Sequence, residues 1–358
     1  MGGVIFQPVS TVDEQPEFPG RERFLAAARC QPVDRTPVWF MRQAGRCLPE
    51  YRAMRQQHSF MEMATTPELA AEATLLPVDL LGVDAAVLFA DIMLPLASLG
   101  VPFEIRPGVG PVIPSPIRTS NDVARLKCLP AEEGTPYVMQ ALRILRDRLG
   151  DRAALLGFAG APFTLACYLI EGKPSREFPR AKAMLYGEPD LWHALMERLA
   201  AVTADYLVAQ AAAGADAVQL FDSWLGLLDQ ETFRRGVLPY TQHIFAAVSN
   251  HVPAIHFSTG TDTLLQDIGH SGCQVVSVDW RTSLASVGSR LPERIAVQGN
   301  LDPALMLAPW PVIEEAAHSA LHQARDLPGY IFNLGHGILP ETDPSKLAKL
   351  VALVHEQP

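Results

Sequence analysis

The sequence predicts an α/β protein, a single-domain (β/α)8 barrel with its active site at the carboxyl ends of the strands. Three observations carry that prediction. Eight short apolar, often β-branched runs recur along the 358 residues. Amphipathic helical stretches separate them, the alternation that builds a parallel sheet. Polar side chains follow the runs directly, where barrel enzymes place their chemistry.

Taken in order, the predicted strands are Pro37–Met41, Ala85–Phe89, Ala154–Phe158, Ala217–Phe221, Ala254–Phe257, Gln274–Val278, Ile295–Gln298 and Tyr330–Asn333. Pro67–Leu81, Thr135–Leu149, Leu191–Ala213 and Val312–Arg325 show helical periodicity between them. Two units look alike: Gly82-Val-Asp-Ala-Ala-Val-Leu-Phe-Ala-Asp91 and Gly214-Ala-Asp-Ala-Val-Gln-Leu-Phe-Asp-Ser223. In each, Gly ends a helix, Asp starts the turn and an apolar run follows. Shared αβ-loop chemistry or an internal duplication accounts for the likeness. Asp91, Ser223, Asp279 and His336 fall at or just past strand ends. Pro95–Pro130 is too long for an ordinary βα-loop, and its Gly and Pro residues suggest a hairpin capping one side of the barrel. Without any linker tract, residues 21–358 read as one domain behind a poorly structured tail, residues 1–20.

Composition sets limits on function. Hydrophobic residues make up 48% and charged residues 19%, which excludes a disordered chain. A net charge of −10 argues against a nucleic-acid or anionic-membrane binder. Asp79, Asp84 and Asp91 interrupt the most apolar stretch, Leu75–Val101, so it cannot span a membrane. The first residues lack an apolar signal core, and five scattered cysteines without a C-x-x-C pair fit a reducing compartment. A cytoplasmic protein is expected. Against the acidity, 24 of the 29 basic residues are Arg. Codon bias explains such an excess, and so does an anionic ligand met by guanidinium forks.

Position begins to separate those two readings. Arg42, Arg46, Arg52 and Arg55, with Glu50 alone opposing them, give Trp39–Ser59 a charge of +3. A basic loop at a barrel mouth suits carboxylates or phosphates, and Gly45 beside Arg46 permits close backbone approach. The plainer alternative is a solvated loop. Plain alternatives exist elsewhere too: Asp91 or Ser223 as a helix cap, Tyr168 as a core residue, His336 as a turn histidine. His318 and His322 have helical metal spacing but lack the Glu of H-E-x-x-H, and read as a solvated face.

Arg42-Gln-Ala-Gly-Arg46 resembles the signature of the uroporphyrinogen decarboxylase family. So does Gly157-Phe-Ala-Gly-Ala-Pro-Phe-Thr-Leu-Ala-Cys-Tyr168-Leu-Ile-Glu-Gly172, and Phe89-Ala-Asp91-Ile, Leu220-Phe-Asp-Ser223-Trp and Asn333-Leu-Gly-His336-Gly follow in family order. The resemblance runs from about Arg21 to the C-terminus. Cys47 departs from it, since the family usually has an aromatic residue there.

The resemblance implies a (β/α)8 barrel, typically a homodimer, in tetrapyrrole (haem or chlorophyll) biosynthesis. Its reaction removes CO2 from the four acetate side chains of uroporphyrinogen III, giving coproporphyrinogen III, without metal or organic cofactor. By similarity Arg42 and Arg46 bind substrate carboxylates, with Gln43, Ala44 and Gly45 lining the same pocket. Asp91 is the expected catalytic residue, facing the pyrrole N–H groups. Tyr168, Ser223 and His336 contact substrate from other strand ends, with Arg55 and Phe221 as further contacts. A ring-protonated pyrrole is the electron sink, and a fixed carboxylate stabilises that cation. Arg42, Tyr168, His336 and bound water all remain candidates for delivering the proton.

Two other readings compete. A zinc- and cobalamin-linked methyltransferase of the same superfamily needs a thiolate where Ala254-Ile-His256-Phe-Ser258 carries Ser258, a poor zinc ligand. A non-catalytic tetrapyrrole-binding protein would keep the Arg loop without needing Asp91. Metal analysis of purified protein should find zinc well below one equivalent per chain; stoichiometric zinc would favour the methyltransferase.

Overall fold

The computed structural model describes residues 18–106 and 108–356. Most of the expected tail, residues 1–17, lies outside the described residues. Residues 18–20 do not belong to a loose tail: the Phe18 N–H donates to Asp34 Oδ2 at 3.1 Å, and Gly20 opens the helix Gly20–Ala28.

The described residues hold nine strands: β1 (Ala85–Val87), β2 (Glu104–Arg106), β3 (Gly110–Val112), β4 (Ala154–Gly160), β5 (Ala217–Asp222), β6 (Ala254–Ser258), β7 (Val275–Ser277), β8 (Ala296–Leu301) and β9 (Tyr330–Leu334). Seven form one parallel sheet in the order β1-β4-β5-β6-β7-β8-β9. Their side chains are almost wholly buried, because helices cover the outer face and packed side chains fill the inside. The helix Pro67–Leu81 matches the sequence expectation at both ends, from a Pro in its first turn to Gly82 in the left-handed conformation. No described helix is long and apolar enough to cross a membrane.

The first sequence-predicted strand, Pro37–Met41, becomes the eighth stave without forming a regular ladder. Only Val38 bridges, in parallel, to Phe332 of β9. On that side the Phe332 N–H donates to Pro37 O at 2.9 Å; on the other, the Asp84 N–H donates to Val38 O at 2.8 Å. This segment closes the barrel between β9 and β1. Its own donors go largely to side chains, which is why the strand pattern breaks. Pro37 has no N–H, Val38 donates to Asp84 Oδ2 (2.8 Å), Phe40 to Gln43 Oε1 (3.0 Å) and Met41 to Asn333 Oδ1 (3.2 Å).

Inside the closed sheet, Trp39 Nε1 donates to Gln298 Oε1 (2.9 Å). Gln298 Nε2 reaches both Gln219 Oε1 (3.0 Å) and Ser277 Oγ (2.9 Å). This buried chain links the first stave to β8, β5 and β7 across the barrel. The expected hairpin is β2–β3, antiparallel, within the long excursion after β1. The Ile113 and Ile117 N–H groups stitch that excursion to the helix Pro162–Glu171 through Gly172 O and Leu169 O.

The repeated Gly-x-Asp units do the same work at the amino ends of β1 and β5. Gly82 (φ 72°) and Gly214 (φ 111°) turn the chain in a region that favours glycine. The aspartate two residues later accepts a backbone N–H from the neighbouring stave. Val38 donates to Asp84, and Leu155 donates to Asp216 at 2.8 Å. Arginines complete each site: Arg23 to Asp84 (2.5 Å), and Arg21 (2.9 Å) and Arg146 to Asp216. The C-terminal helix Pro344–His355 adds His355 Nε2, 2.7 Å from Asp84 Oδ2.

Asp84→Ala leaves Arg23 buried without this partner and frees the Val38 N–H. It should lower unfolding free energy by about 3–5 kcal/mol in urea titrations. Turnover at permissive temperature should stay within a fewfold, because the loss lies at the end opposite the site.

Candidate active site

The arginine loop opens with a tight turn, Phe40–Gln43. The Gln43 N–H donates to Phe40 O (3.1 Å), while its side chain accepts from the Phe40 N–H and donates to Ala85 O at 2.8 Å. Gln43 is therefore wholly buried, a latch between the first stave and β1. Arg42 occupies the third turn position at φ 62°, where glycine or asparagine is usual; such a conformation costs about 1–3 kcal/mol. A Cβ on Gly45 would lie 2.5 Å from Arg42 O, so close packing within the loop itself requires glycine there. Ala44 and Gly45 are half-buried.

The four arginines divide into two pairs. Arg52 Nη1 donates to Arg46 O and Cys47 O, both at 2.9 Å, and Arg55 donates to His58 O. These two hold backbone. Arg42 and Arg46 are exposed, and among the described residues their guanidiniums make no hydrogen bond.

Arg42 brings the distant motifs together. Its charge acts on Asp91, Tyr168 and His336 alike. Asp91 follows β1 and is half-buried; one carboxylate oxygen accepts the Met93 N–H at 2.8 Å. Burial pushes its carboxyl above the usual range, opposed by the Met93 N–H and by Arg42. Tyr168 lies in the helix Pro162–Glu171, and burial pushes its phenol up to about 12. His336 follows β9; burial first, then Arg42, brings its imidazole down to about 4. Near neutral pH both are uncharged hydrogen-bonding groups.

Aromatic rings wall this centre. Phe158, Phe221 and Phe257, near the ends of β4, β5 and β6, meet in sequence at 5.4 and 5.3 Å, and His336 stacks edge-on to Phe257 at 5.9 Å. Tyr168 contacts Phe178 (5.8 Å) and Trp224 (6.2 Å). Ser223, half-buried, stands between Phe221 and Trp224 in the chain. Sequence reasoning singled out Phe221 but missed Phe158, Phe257, Phe178 and Trp224. The signal was available in part: the predicted strands around Phe89, Phe158, Phe221 and Phe257 all end on Phe.

Residues 19–357 match the family profile described as Uroporphyrinogen decarboxylase (URO-D). The chain is 52% identical over 343 residues to uroporphyrinogen decarboxylase of Salinispora tropica, covering 96% of this chain and 92% of that one. It is 47% identical over 357 residues to its namesake in Mycobacterium ulcerans, covering 97% and 99%. This chain belongs to the uroporphyrinogen decarboxylase family. Among solved structures, a methyltransferase from Methanosarcina mazei matches at TM-score 0.77 and 22% identity, covering 95% of this chain and 99% of that one. At that identity it shows the shared barrel and nothing of the chemistry.

The residues at issue for a methyltransferase are engaged otherwise. His256 is wholly buried between β6 and the helix Leu238–Val248, its ring 5.5 Å from Phe245, and burial brings it down to about 3. Ser258 Oγ pairs with Thr261 Oγ1 at 2.7 Å. Asp279, flagged from its position past a strand, binds the Gly260 and Arg281 N–H groups (2.7 and 2.9 Å) and so ties neighbouring loops.

Asp222, next to Ser223, escaped sequence reasoning. It is wholly buried behind the wall, with Thr164 Oγ1 donating to one oxygen at 2.9 Å and no hydrogen bond to the other. Burial pushes its carboxyl up to about 7. A raised carboxyl costs stability as pH climbs from its unfolded value towards 7. Asp222→Asn should therefore stabilise by roughly 1–3 kcal/mol at pH 8 and by less at pH 5, read from thermal unfolding at both.

Proposed function

We propose that this chain decarboxylates the four acetate side chains of uroporphyrinogen III, releasing coproporphyrinogen III. The observation that carries this reading is the site's charge pattern. One carboxylate, Asp91, lies within reach of the Arg42 charge, and Tyr168 and His336, on which the same charge acts, are neutral. The identity with named decarboxylases over nearly the whole chain supports it.

Chemistry follows from the pattern. A proton adds to a pyrrole ring carbon, and the ring becomes cationic. The bond from the acetate methylene to its carboxylate then breaks, its electron pair flows into the ring, and CO2 leaves. The exocyclic carbon takes up a proton and the ring carbon releases one, so each cycle consumes one proton. Asp91, ionised, faces the cationic ring nitrogens and lowers the energy of that intermediate. Arg42 and Arg46 hold peripheral carboxylates while the aromatic wall receives the macrocycle's apolar faces. Tyr168, Ser223 and His336 supply hydrogen bonds around the ring. The same reading takes the chain as a cytoplasmic homodimer needing no cofactor.

Anaerobic incubation with uroporphyrinogen III should yield, after oxidation and chromatography, porphyrins with progressively fewer carboxylates. Their absence would sink the assignment. Asp91→Ala should lower kcat by roughly 10²–10³-fold with KM changed far less. Equal losses in both would reduce Asp91 to a binding residue. In the wild type, activity should fall on the acid side as Asp91 takes up a proton.

A further inference from the structure

Arg42 holds an unfavourable backbone conformation at the centre of the site, so something must hold it there. The clasp between Phe40 and Gln43 closes the turn but does not aim the side chain. The residue before Arg42 is gripped on both polar groups, by a side chain of β9 and by the segment that follows it. The Met41 N–H donates to Asn333 Oδ1 at 3.2 Å, and Met41 O accepts the Ile338 N–H at 2.9 Å. Gly337 lies directly against the Arg42 stem, where a Cβ would come within 2.4 Å of its Cδ. The same short segment carries His336, on which the Arg42 charge acts.

Asn333 is wholly buried, and its amide nitrogen has no hydrogen-bond partner. A buried unpartnered donor is unfavourable, and leucine would fill similar volume without one. What leucine lacks is the acceptor that Met41 requires.

We propose that Asn333 is a positioning residue for Arg42: its side-chain carbonyl, by fixing the Met41 peptide over Gly337, sets where the guanidinium meets substrate. The inference rests on the decarboxylase reading and deepens it. Asn333 touches no reacting atom; it acts through Arg42.

A double-mutant cycle separates this role from a merely structural one. Asn333→Leu should cut kcat/KM for uroporphyrinogen III by roughly 10–100-fold, mainly through KM. In an Arg42→Ala background the same substitution should cost no more than about twofold, since there is no guanidinium left to misplace. Equal losses in both backgrounds, or no loss in the single variant, would overturn the proposal. If Asn333→Leu fails to give a cooperative thermal transition, Asn333→Ala, which removes the same acceptor without adding bulk, goes through the same cycle with the same criteria. A wild type that does not decarboxylate would overturn the parent reading as well; an active wild type with an additive cycle overturns the positioning role alone.

Discussion

Everything in this barrel depends on how one short segment satisfies its backbone donors. Residues 37–41 close the sheet between β9 and β1, yet they form only a single bridge. Buried N–H groups must find acceptors, and here side chains supply them: Asp84 for Val38, Gln43 for Phe40 and Asn333 for Met41. Each acceptor belongs to a different part of the structure. Asp84 anchors the amino end through Arg23 and His355, Gln43 the turn, and Asn333 the strand leading to His336. Closing the barrel and aiming the arginine loop are therefore one event.

The two ends of the barrel treat charge in opposite ways. At the amino end Asp84 and Asp216 are saturated by arginines and backbone N–H groups, so charge serves stability. At the carboxyl end Arg42 and Arg46 are left without hydrogen bonds among the described residues, and Asp91 spends one oxygen on Met93. A half-buried carboxylate without full partners is destabilising to the free protein, and exposed guanidiniums without hydrogen bonds are available to a ligand. Burial also keeps Tyr168 and His336 uncharged, so the phenol does not compete with Asp91 for the arginines and the imidazole does not compete with the arginines for Asp91.

The alternation of apolar runs with amphipathic stretches was enough to place the seven laddered staves, because a buried parallel strand and its covering helix leave distinct periodicities. It also marked the β2–β3 excursion by length and turn residues. It misread Pro37–Met41 as an ordinary strand, since nothing local shows that its donors go to side chains 46 and 292 residues away. Phe18–Gly20 reads locally as tail for the same reason: its anchor, Asp34, lies beyond the helix it precedes.

The sequence by itself determined the barrel, the direction of its strands, the basic loop after the first strand and the family to which the motifs point. These are local: periodicity, turn chemistry and contiguous motifs need no partner to be read. Only the tertiary structure decided which arginines are free and which hold backbone, that Gln43 is a latch, that Phe158, Phe221 and Phe257 form one wall, and that Asp222 is buried with half its carboxylate unmet. The last three depend on contacts between residues far apart in the chain; the arginine contacts are local, but they exist only once the loop has taken its folded shape. Burial and hydrogen-bond partnership are properties of the assembled surface around a side chain, and they come into being only when the staves close.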